Sequence, residues 1–158
     1  MMEAVNNKWF FTVEKIKARR EELERYRLRR TTDIDTFQIR EADSDTYTLP
    51  EDETGWRTEQ IGAHWKGRDT YLWLKLSIDI PCDWAGETPV LVLDLGNTSN
   101  WTNDGFEALL YLDGKPYKGV DQNHKLVLLP ETMTGKKTTI YLRLWSGLEG
   151  GGKPQEQE

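Results

Sequence analysis

Tyr71-Leu72-Trp73-Leu74-Lys75-Leu76-Ser77-Ile78-Asp79-Ile80-Pro81 is the stretch that decides the fold. Leu72, Leu74, Leu76, Ile78 and Ile80 alternate with Tyr71, Trp73, Lys75, Ser77 and Asp79, the period of a strand with one buried face. Pro81 has no backbone donor for a ladder and ends the strand. Downstream, the same period predicts strands over Val90–Leu95, Phe106–Leu112, Lys115–Val120, Lys125–Leu129 and Thr138–Trp145. Asp113-Gly114, between two of these, is a two-residue hairpin signal. Upstream, Thr36–Arg40 and Thr46–Leu49 read as short strands. The Gly and Trp residues between Gly55 and Gly67 read as aromatic plugs beside tight turns rather than as a regular element. Strands at such short intervals with no helix between them indicate an antiparallel sandwich or jelly roll.

Before the strands the pattern is helical. From about Thr12 to Arg29 there is no Gly or Pro, and Ile16, Arg20, Leu23 and Arg27 share one face. Glu14–Arg30 carries a local +4 within a total of −6, so the remainder carries −10. The preferred reading is a solvated helix with one narrow docking stripe, not a handle for an acidic partner. After Ser146 the chain turns to Gly-Leu-Glu-Gly-Gly-Gly-Lys-Pro, a flexible linker composition. The expected organisation is a helical segment over 1–30, a sandwich over 31–147 and a linker over 148–158.

The 158 residues suffice for one domain with a sizeable core. The acidic balance argues against a nucleic-acid binder, and no apolar run approaches the ~20 residues of a membrane span. Met1–Lys8 has no signal-peptide pattern, and Cys82 is the one cysteine, so the expected location is the cytoplasm. Cys82 itself reads as an inert small hydrophobe.

Catalytic chemistry finds little support. His64 and His124 are the two histidines, and no Gly-x-Ser-x-Gly elbow occurs. One Cys with two distant His cannot build a structural zinc site. Asp121-Gln122-Asn123-His124 gathers three possible ligands, but such groups in turns are usually hydrogen-bonded loop residues. Glu107, in an otherwise apolar strand, is the most notable carboxylate and reads as an outward-facing position. The seven Trp and six Tyr leave a further question. Tyr71 and Trp73, and likewise Tyr141 and Trp145, lie opposite the apolar faces of their strands. They serve either as a second packed layer, the preferred reading, or as a platform for sugar rings.

A set of ordered strings then becomes recognisable: Ile61-Gly62-x-x-Trp65, Asp69-x-x-x-Trp73-Leu74, Ile80-Pro81-x-x-Trp84-x-Gly86, Glu107–His124 and Leu142–Gly150. Together they resemble the N-terminal region of α-mannosidases of glycoside hydrolase family 38, in the cytosolic and vacuolar branch with bacterial members. The resemblance covers nearly the whole chain. It implies a galactose-binding-domain-like β-sandwich preceded by an α-helix, ahead of a zinc-dependent retaining catalytic domain. No catalytic residue and no metal ligand of that family maps onto this chain, so the zinc and the activity are expected in the domain that would follow.

The partners implied are that catalytic domain, a homo-oligomer formed through the helix, and a mannoside; no nucleic acid or membrane is expected. Asp121, Asn123 and His124 are candidates for contact at the rim of the substrate pocket, with Trp101 as a nearby stacking surface. The alternative is a turn required by the fold, with Gly119 supplying unusual backbone angles and Asp and Asn capping it. Both readings stay open. A runner-up function is an autonomous carbohydrate-binding module using exposed Trp and Tyr.

Overall fold

A computed structural model describes residues 12–44, 46–65, 67–96 and 106–147. The helix α1 spans Thr12–Arg27, and the strands are β1 (Thr36–Ala42), β2 (Arg57–Gln60), β3 (Tyr71–Asp79), β4 (Val90–Val92), β5 (Glu107–Leu112), β6 (Lys115–Asp121), β7 (Leu126–Leu128) and β8 (Lys137–Trp145). The chain divides into two units, Met1–Asp33 and Ile34–Glu158. In the first, α1 carries the i,i+3 ion pairs Arg19–Glu22 and Glu24–Arg27 and buries none of its residues.

The second unit is mainly β and antiparallel. A six-stranded sheet runs in the order β2-β1-β3-β8-β5-β6, and a two-stranded sheet pairs β4 with β7. Alternation in β3 sends Leu72, Leu74, Leu76 and Ile78 to one face, where they meet Ile140, Leu142 and Leu144 of β8 and Ala108, Leu110 and Leu112 of β5. Leu91, Leu93, Val127 and Leu129 join the same core from the region of the small sheet. Ile140, Leu142, Leu110 and Val127 are fully buried. Bonds from the Leu93 amide to Lys125 O and from the Leu129 amide to Pro89 O continue the β4–β7 pairing past the strand ends. The β5–β6 hairpin turns on Asp113 and Gly114, whose φ values of 50° and 76° are the left-handed pair such a turn requires.

Three expectations change. Arg57–Gln60 is a strand, β2, although Arg-Thr-Glu-Gln has no apolar alternation. Its place comes from the register Thr36–Gln60 to Ile39–Arg57 along the edge of β1. Thr46–Leu49 is not a strand, because its backbone serves the outer face described below. Cys82, expected as an inert small hydrophobe, opens a single 3-10 turn (Cys82–Trp84) and is exposed rather than packed among apolar groups.

Candidate functional site

The outer face of the large sheet answers part of the aromatic question. Arg143 stands in β8 between Leu142 and Leu144, turned away from the core, yet it is buried. Its Nε donates to Thr46 O at 2.7 Å, and its Nη2 donates to Asp43 O at 3.0 Å and Ser44 O at 2.7 Å. The guanidinium lies 4.4 Å from the Tyr47 ring centre and 4.3 Å from that of Tyr71. The Tyr111 hydroxyl donates to Tyr47 O at 2.9 Å.

Further along the same segment, Asp52 pairs with Arg40 at 2.9 Å and Glu53 with Lys75 at 2.6 Å, while Trp56 packs on Tyr141 at 6.0 Å. The segment 43–56 is therefore a strap across the outer face. Beneath it Trp73 meets Tyr111 edge-on at 5.3 Å and is only 2% exposed, so it offers no ring face to solvent. Burial raises the hydroxyl pKa of Tyr111, which Arg143 opposes.

Asp121, Asn123 and His124 come together in one turn at the end of β6. Asp121 Oδ1 accepts from the Asn123 amide at 2.7 Å and from the His124 amide at 2.8 Å. Both carboxylate oxygens lie 2.9 Å from His124 Nδ1. Burial pushes the Asp121 carboxyl pKa up, but the bonds from His124 and the two amides, with the imidazole's charge, outweigh it and hold the pKa below the ordinary 3.8. The carboxylate is thus committed within the turn and holds the His124 ring at Nδ1. With Nδ1 held, Nε2 is the imidazole atom left to meet a ligand, and the His124 side chain is 69% exposed. Such a group can donate to or accept from a hydroxyl. Beside it Lys125 pairs with Asp94 at 2.6 Å, and that bond holds the Asp94 carboxyl low.

Gly119 departs from expectation. It lies within β6 without a left-handed φ, so it does not supply unusual backbone angles. A Cβ built there would meet nothing within 4 Å among the described residues. Trp101 lies outside the described residues. Glu107 is exposed on the outer face, as its alternation implied.

A second aromatic pair was not legible as a unit in the sequence. Tyr71 and Trp145 stack with ring centres 6.4 Å apart and planes 20° apart. Asp69 Oδ1 accepts from Trp145 Nε1 at 2.8 Å and from the Tyr71 hydroxyl at 3.3 Å. Burial, then the charge and bond of Asp69, raise the Tyr71 pKa. The available signal was the Asp-x-Tyr spacing of Asp69 and Tyr71, but the register that brings Trp145 to them is long-range.

Two antiparallel sheets around one aliphatic core define a mainly β domain of the jelly-roll class. The chain belongs to the family described as α-mannosidase, jelly roll domain, whose model matches residues 33–146. No curated protein and no solved structure matches the chain.

Proposed function

We propose that this chain is the non-catalytic jelly roll domain of a family 38 α-mannosidase, with hydrolysis of α-mannosides carried out by another domain of the parent enzyme. In that enzyme the sandwich supports packing of the catalytic domain, and the helical segment contributes to homo-oligomer assembly. The Asp121–His124 turn stands at the substrate rim, where Asp121 positions the imidazole and His124 Nε2 holds a sugar hydroxyl. The observation that carries this reading is an exposed imidazole fixed at Nδ1 in a member of the α-mannosidase jelly roll family.

Zinc is what the resemblance implies for the catalytic domain. Among the described residues no three of His, Cys, Asp and Glu are grouped to hold a metal ion. No step of this reading runs through it.

Two measurements test the proposal. The purified chain is expected to give no turnover of an aryl α-mannoside above blank; turnover that co-elutes with it would overturn the non-catalytic assignment. In the parent enzyme, His124→Ala is expected to raise KM about fivefold with kcat little changed. An unchanged KM would remove the rim role.

A further inference from the structure

Register places Tyr71 opposite Trp145, Trp145 opposite Glu107, and Glu107 opposite Asp121. Residues directly opposite in antiparallel strands share a face and stand about 5 Å apart. Tyr71, Trp145, Glu107 and Asp121 therefore form one line across β3, β8, β5 and β6 on the outer face. Asp69 lies at one end of this line and His124 at the other. The strap anchors on the rows behind it, through Arg40 and Arg143 in one and Lys75, Tyr141 and Tyr111 in the next. The line itself stays at the sheet's end, with all four members half-buried or exposed.

Its chemistry is coherent. Trp145 is fixed at its indole N–H by Asp69 and on one ring face by Tyr71. Asp69 is aimed at it from a left-handed backbone, φ 51°, with its own amide bonded to Gly147 O at 3.0 Å. Glu107 is exposed, and its side chain has no hydrogen bond or ion pair among the described residues. Gly119, two residues before Asp121 on the same face, is required neither by φ nor by a packed neighbour among the described residues. A strand glycine of this kind is found beside a bulge, such as the Leu110/Tyr111 register shift next to it, and where a ligand or another backbone approaches closely.

We propose that this line is a binding subsite for a neutral pyranoside; the inference rests on the reading of the Asp121–His124 turn as a sugar contact. The Trp145 indole takes the apolar C–H side of the ring. Glu107 accepts bonds from the ring hydroxyls, His124 Nε2 engages a hydroxyl further along, and Gly119 leaves the space above β6 open. The carboxylates of Asp69, Glu107 and Asp121 turn away phosphorylated or acidic sugars by like-charge repulsion.

The test is an amide and indole NMR titration of the full 158-residue chain with methyl α-mannopyranoside and, separately, mannose 6-phosphate. Saturable shifts at Trp145, Glu107, Gly119 and His124 are expected with the neutral sugar and not with the phosphate. Glu107→Gln is expected to weaken binding about tenfold. Gly119→Leu is expected to abolish it while the spectrum elsewhere keeps its dispersion. Shifts confined to 121–124, with Glu107→Gln binding as the unaltered chain does, would overturn the line and leave the turn's role standing. Silence throughout would also overturn it, and the rim role would then be judged by KM in the His124→Ala parent enzyme.

Discussion

Arg143 ties the strap to the outer face of the large sheet. Its charge sits between two tyrosine rings, and its donors satisfy three strap carbonyls that would otherwise face a buried layer. Removing a donor set of this kind leaves the carbonyls unpaired. Arg143→Met is therefore expected to lower stability by about 3 kcal/mol in denaturant unfolding. It should also open the 43–56 segment to limited proteolysis. A loss below about 0.5 kcal/mol, the range of ordinary surface changes, would mean that the strap is held by other contacts.

Acid acts at the same scale. The Asp52 carboxyl is held below its ordinary 3.8 chiefly by Thr54 and Arg40, and those of Asp94 and Asp121 also lie below it. The folded chain binds these protons less readily than the unfolded one, so their stabilisation is complete above pH 3.8 and lost as pH falls through the lower folded values. Melting temperature should hold above that value and fall below it. Asp121→Asn should flatten part of the fall; a fall of unchanged depth would show that the turn contributes nothing to it.

Among the elements, legibility followed locality. The alternation of β3 is contained in its own nine residues, and the Asp113-Gly114 turn needs nothing beyond its two positive φ values. Replacing that pair with Ala-Ala is expected to cost about 2 kcal/mol, since each alanine must enter the left-handed region. A change of a few tenths would mean that the turn relaxes to another type. The edge strand β2 gave no local signal because pairing with β1, not burial, defines it. The Thr46–Leu49 segment has the composition of a strand, but Arg143 bonds to Thr46 from 97 residues away and draws this part of the chain over the sheet. The site divides the same way. The Asp121–His124 turn lies within four residues and was visible, whereas the line joining Tyr71, Trp145, Glu107 and Asp121 exists only through the register of four strands.

For the sandwich unit, one sheet serves two layers. Its inner face shares a single aliphatic core with the β4–β7 sheet, and its outer face is a layer of rings and cations sealed by the chain's own strap. That arrangement explains why an aromatic outer face is compatible with a stable domain. The most direct measurement uses the seven tryptophan indole signals, assigned and followed during addition of methyl α-mannopyranoside. The account predicts that Trp145 shifts saturably while Trp73, beneath the strap, does not move. A response at Trp73 without one at Trp145, or no indole response at saturating sugar, would contradict it.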